Sequence, residues 1–134
     1  MPQTITITAT LQAVSEAVQG FEDQWAHLPS ELRTLLLLAM QELCVNIVKH
    51  GYAGAAGTIV LLVELDTAQL RVTVHDTAPN AFTMPDEIEA PDPLALPESG
   101  WGIFIIHQVF DQVQYERLPD GNCWRLQKAL GTEP

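Results

Sequence analysis

The sequence predicts a two-layer α+β sandwich, with a mixed, mostly antiparallel sheet covered on one face by helices. Three observations carry this. Stretches that alternate with a period of two occur as one opening strand and two later hairpins. Helix-compatible stretches, with apolar residues three and four apart, fall between them. The resulting order, β-α-α-ββ-loop-α-ββ, sets runs of strands apart from helices, where a parallel sheet would alternate the two.

Each element has its own signal. "TITITAT", residues 4–10, alternates Thr and Ile as a half-buried strand does. Over residues 11–27, Leu11, Val14, Ala17, Val18, Phe21 and Trp25 fall on one helical face. Pro29 breaks that helix, and Ser30 is the expected N-cap of a second. The second helix is predicted to reach about His50, with an apolar stripe of Leu32, Leu35, Leu36, Ala39, Met40, Leu43 and Ile47. "GYAGAAG" ends it, because glycine accepts the left-handed conformation common at helix C-termini. "TIVLLVELD" and "AQLRVTVHDTA" form a hairpin turning near Asp66–Ala68. Residues 83–99 hold four prolines and five acids without periodicity, and read as a long loop of the functional kind. "GWGIFIIHQVF" is a short helix with a glycine-rich entrance, and "DQVQYERL" and "CWRLQKAL" pair across a Gly-Asn turn.

Composition bounds the function. The chain has 134 residues, 47% of them apolar, which suits one folded domain over residues 1–134. Net charge is −11 with six Lys and Arg in total, which disfavours binding nucleic acid through phosphate neutralisation. "MPQTITITAT" lacks the basic and apolar regions of a signal peptide. The "LLLLAM" run is cut by Gln41 and Glu42, well short of the about 20 residues that span a bilayer. Cys44 and Cys123 form no metal-type pair, and Cys44 reads as a small buried thiol. A cytoplasmic protein with no membrane association is expected.

Three polar features interrupt the apolar elements. Residues four apart on a helix are displaced by about 40°, so Glu42, Asn46 and His50 form one stripe, with Lys49 at its edge. Such a stripe is either a solvated face or a site. In a site, the Asn46 amide oxygen suits Mg²⁺ beside substrate phosphates, and Glu42 is placed to take a proton from a hydroxyl. In "LRVTVHD", Asp76 shares the inward face of its strand with Leu70, Val72 and Val74. A carboxylate there needs a partner. It either caps the following loop or accepts from a ligand, and an exocyclic amine such as that of adenine would satisfy it, with the small Thr77 and Ala78 admitting a flat ring. Third, Gly100 and Gly102 in "ESGWGI" open a helix, which is either an anion site or a plain loop–helix junction. There is no GxxxxGK[ST] phosphate loop.

Taken in order, "ExxxNxxxHxY" (Glu42, Asn46, His50, Tyr52), "DTAPNAF" (Asp76 to Phe82), "SGWGIFII" and "DGNCWRLQK" resemble the N, G1 and G2 boxes and last hairpin of the GHKL ATPase superfamily, the Bergerat ATP-binding fold. The likeness covers residues 28–130 and is greatest to its anti-sigma factor serine/threonine-protein kinases. The resemblance implies ATP and Mg²⁺ as ligands, with Asp76 on the adenine amine and Asn46 on the metal. It makes Glu42 the catalytic base, and places His50, Ala78, Gly100, Trp101 and Gly102 in the ATP-binding set, with loop 83–99 as the ATP lid. The partners implied are a sigma factor or similar regulator and an anti-sigma-factor antagonist protein that is phosphorylated, with room left for a homodimer. Ala78 stands where a glycine is usual, and Trp101 where a basic residue is frequent. Those departures keep open a sigma-sequestering module that binds nucleotide without phosphotransfer, or binds none. A histidine-kinase catalytic fragment would need an upstream helical segment carrying the phospho-accepting histidine, whereas this chain opens on a strand.

Overall fold

The computed structural model describes residues 2–83 and 101–131. Strand β1 (Gln3–Thr8) leads into α1 (Leu11–Gln24) and α2 (Ser30–Asn46), which continues as a π-helical turn, Ile47–Tyr52. Strands β2 (Thr58–Leu65) and β3 (Gln69–Asp76) follow, then α3 (Trp101–Val109), β4 (Gln112–Leu118) and β5 (Gly121–Ala129). The strands form one sheet in the order β1-β2-β3-β5-β4. Each of these four pairings is antiparallel. The predicted α+β sandwich is therefore the architecture found, and the last strand of the chain inserts beside β3.

Strand parity builds the core. Ile59, Leu61 and Val63 of β2 and Leu70, Val72 and Val74 of β3 point inward and are buried. They meet Val14, Phe21 and Trp25 of the first helical segment and Leu36, Ala39, Met40 and Leu43 of α2 in one continuous cluster. Phe21 and Trp25 stack at 4.7 Å, one turn apart. Cys44 is buried as expected, and burial pushes its thiol up to about 12.

Several boundaries differ from expectation for identifiable reasons. The first strand stops at Thr8, because Thr10 turns out to cap α1, its hydroxyl accepting from the Ala13 amide at 3.1 Å. Ser30 is the first residue of α2, not its cap: Pro29 takes the cap position without a side-chain bond. Leu11 and Leu35, both assigned to apolar stripes, are 48% and 44% exposed. Leu35 lies about 100° round the helix from Leu36, and only one of the two can face the sheet. The left-handed residue that ends the second helical segment is Ala53, at φ 49°, with Gly54 following at φ 97°. The second hairpin turns on Pro119 and Asp120, since Leu118 pairs with Gly121, so Gly121 and Asn122 belong to β5.

Candidate functional site

The site forms where the second helical segment meets the ends of β3 and β5. From Ile47 the helix widens, and the Ala53 amide bonds to the Val48 carbonyl five residues back, at 3.2 Å. This turn presents its carbonyls to the loop after β3: the Asn80 amide donates to Gly51 O at 3.3 Å and Asn80 Nδ2 to His50 O at 3.1 Å. The buried Tyr52 hydroxyl donates to the Thr58 carbonyl and accepts from the Thr77 amide at 3.0 Å. The turn is thereby fastened to both β2 and the exit of β3.

Asp76 is 6% exposed at the inward end of β3. Its Oδ1 accepts from the Ala78 amide and from Asn122 Nδ2, each at 2.9 Å. Its Oδ2 is buried with no hydrogen-bond partner. The two readings of this carboxylate therefore divide between its oxygens, one capping the loop and one held free. Leaving a charged acceptor buried and unpaired costs about 1–3 kcal/mol or more, a cost that an incoming donor would offset.

Asp76 belongs to the lining of a cavity of about 130 Å³. Polar walls come from Asn46, Asp76, Asn80 and Asn122, apolar ones from Ile47, Phe82 and Trp124. Phe82 sits 5.0 Å from Trp124 and 5.6 Å from Tyr115, centroid to centroid, which holds the loop after β3 against β4 and β5. The volume is below the about 300 Å³ of a typical whole-ligand pocket and suits a single ring system.

The structure brings Asn46, His50 and Asp76 to this one cavity. His50 is exposed, and its backbone carbonyl accepts from Asn80 Nδ2. Glu42, one turn before Asn46, is half-buried and outside the cavity lining; it faces α3, where a Cβ on Gly102 would lie 3.1 Å from Glu42 Oε1. Glycine at 102 therefore lets the first turn of α3 close on this carboxylate. Ala78 and Thr77 do not line the cavity. The Ala78 methyl packs against the position a Cβ on Gly51 would take, 3.1 Å away, so it faces the π-helical turn. Gly100 and all of loop 83–99 except Thr83 lie outside the described residues, and Trp101 is described only as the first residue of α3.

Asn80, Phe82, Asn122 and Trp124 are lining residues that the motif reading did not assign. Asn122 carried a usable signal: it shares the inward parity of Trp124 and Leu126, as Asp76 shares that of Val72 and Val74.

Residues 7–128 match the histidine kinase-like ATPase domain family, and the chain belongs to it. Among characterised proteins it is similar to the serine-protein kinase RsbW of Bacillus mycoides, 31% identical over 83 residues, which cover 58% of this chain and 52% of that one. The chain thus matches about half the length of this relative. Among solved structures it resembles the histidine kinase domain of the blue-light activated histidine kinase of Erythrobacter litoralis, with TM-score 0.55, 23% identity and coverage of 76% of this chain and 46% of that one. It also resembles a nucleotide-free form of the catalytic domain of histidine kinase ThkA, with TM-score 0.53 and 14% identity over 96% of both chains. At these identities the two structures establish the fold alone. The motif-based placement among GHKL ATPases is thereby borne out. Among the described residues no helix is long and apolar enough to cross a membrane.

Proposed function

We propose that this protein is an ATP-binding anti-sigma regulator with protein serine/threonine kinase activity, acting in the cytoplasm by partner switching. It holds a sigma factor and transfers the γ-phosphoryl group of ATP to a serine or threonine of an antagonist protein. The observation that carries this reading is that Asp76, whose Oδ2 is buried without a hydrogen-bond partner, lines one cavity with Asn46. A buried acceptor of this kind fits the exocyclic amine of adenine, while Ile47, Phe82 and Trp124 fit its ring faces. The similarity to a serine-protein kinase supports the type of transfer.

In this reading the residues divide the work by position. Asp76 accepts from the base, and the Asn46 amide oxygen, a neutral hard ligand, takes Mg²⁺. Bound Mg-ATP supplies the phosphoryl group and the cation that offsets its charge. Glu42, one turn from Asn46, takes the proton of the substrate hydroxyl. Gly102, with Gly100 and Trp101, brings backbone N–H groups at the start of α3 toward the phosphates. His50 fixes the loop after β3 through its carbonyl. Ala78 supports the cavity from behind.

The test is calorimetry with Mg-ATP followed by phosphotransfer from labelled ATP to the antagonist. Asp76→Asn is expected to weaken ATP binding by about 1.5–3 kcal/mol, the scale of a hydrogen bond to a charged group. Unchanged affinity would refute the base assignment. Because Trp101 replaces a frequently basic residue, a non-catalytic sigma-sequestering module is the second reading. ATP bound with no label on the antagonist would establish it in place of the kinase.

A further inference from the structure

We propose that Asn122 is a positioning residue for nucleotide recognition: it orients the Asp76 carboxylate so that one oxygen alone remains to select a 6-amino purine. This rests on the adenine-nucleotide reading above and adds a specificity device to it. Asn122 is 3% exposed, sits directly opposite Asp76 in the β3–β5 ladder, and lines the same cavity.

Its hydrogen bonds are fully used. Nδ2 donates to Asp76 Oδ1 at 2.9 Å and to the Asn80 carbonyl at 3.2 Å. Oδ1 accepts from the Tyr115 hydroxyl, and from Arg117 Nη1 at 3.3 Å. A carboxamide has two donor hydrogens and two acceptor lone pairs, so Asn122 has none to offer a ligand. Its neighbours also fix which way round the amide lies. Tyr115 OH receives the Phe82 amide at 2.8 Å and gives its own proton to Asn122 Oδ1. Arg117 only donates, and its other bonds go to the Ala78 and Pro79 carbonyls at 3.1 and 3.2 Å. With donors on one side and acceptors on the other, turning the amide over would set oxygen against the Asp76 carboxylate.

The consequence lies in Asp76. Asn122 and the Ala78 amide together occupy Oδ1, which fixes the rotation of the carboxylate group about its Cβ–Cγ bond. Oδ2 is left as a single acceptor of fixed direction. Such a group favours a ligand bearing an N–H at that point and disfavours one that presents a carbonyl or a bare C–H.

The experiment titrates Mg-ATP and the magnesium complex of purine riboside triphosphate, which lacks the 6-amine, into the full chain and into Asn122→Ala and Tyr115→Phe. The parent is expected to prefer ATP by about tenfold or more. In Asn122→Ala that preference is expected to fall to within about threefold, through weaker ATP binding, with affinity for the deamino analogue little changed. Tyr115→Phe keeps the ring against Phe82 and Trp124 and is expected to fall between the two. A purely structural role would lower both affinities in parallel, so an unchanged ratio in the folded variants overturns the proposal while leaving the nucleotide reading intact. Should Asn122→Ala not melt cooperatively, the ratio in Tyr115→Phe decides. A parent without any preference for ATP overturns the adenine assignment and this proposal together.

Discussion

Gly121 and Asp76 approach so closely that a Cβ on Gly121 would lie 1.8 Å from the Asp76 carbonyl oxygen. The obstruction is backbone, so no side-chain rotation relieves it. Gly121→Ala is expected to cost about 3 kcal/mol, the upper range for overpacking, and to move Asp76 and Asn122 out of register. Urea denaturation measures the first effect and Mg-ATP titration the second; a variant as stable as the parent would contradict the packing described.

This pair also shows how far the sequence could be read. The inward parity of Leu70, Val72 and Val74 was enough to single out Asp76 as an anomalous carboxylate, and four-residue spacing was enough to place Asn46 and His50 together. "DGN" was misread because glycine next to asparagine is a common hairpin signal. Here Pro119 presets the turn, and Gly121 is required for close approach to another strand, a demand invisible without the partner. The π-helical turn was hidden for the same reason: the residues from Ile47 to Tyr52 are compatible with α-helix, and it is the bonds to Asn80, Thr58 and Thr77 that favour the wider form. Asn122 was legible by parity but was absorbed into the supposed turn.

Tyr52→Phe preserves the ring and removes the hydroxyl shared by Thr58 and Thr77. The Thr58 carbonyl and Thr77 amide, both only part-buried, would lose a partner, and the expected loss is about 0.5–1.5 kcal/mol in chemical denaturation. A loss under about 0.5 kcal/mol, the level of an ordinary surface change, would show that water replaces the phenol.

Ala53 holds φ 49° and ψ 44° at the end of the π-helical turn. An L-residue there bears about 1–2 kcal/mol of steric strain, while glycine costs about 0.4–1 kcal/mol of unfolded-chain entropy. Ala53→Gly is therefore expected to stabilise the fold by up to about 1 kcal/mol, visible as a rise in the denaturation midpoint. A fall in the midpoint would mean that the methyl group makes contacts worth more than the strain.

Burial lifts the Cys44 thiol from its ordinary 9.0 to about 12. The unfolded chain therefore releases this proton first as alkali is added, and the folded form loses stability as pH rises above about 9 toward the folded value. Below that window the contribution is fully present. One such proton corresponds to a slope of about 1.4 kcal/mol per pH unit. Comparing denaturation of the parent and Cys44→Ala between pH 8.5 and 10.5, chosen as roughly this window, isolates the thiol, and equal slopes would contradict its burial. Thiol-reactive dye is likewise expected to reach Cys44 only on unfolding.

The wide turn from Ile47 to Tyr52 makes chain length there as restrictive as residue identity. Deleting one residue between Asn46 and Tyr52 would swing every later side chain by roughly a quarter of a turn around the helix axis, taking the phenol away from Thr77 and Gly51 away from Ala78. Relatives that keep this join should accordingly show substitutions but no gaps across these positions, with insertions appearing only past Ala53, where the chain runs exposed from Gly54 to Ala56.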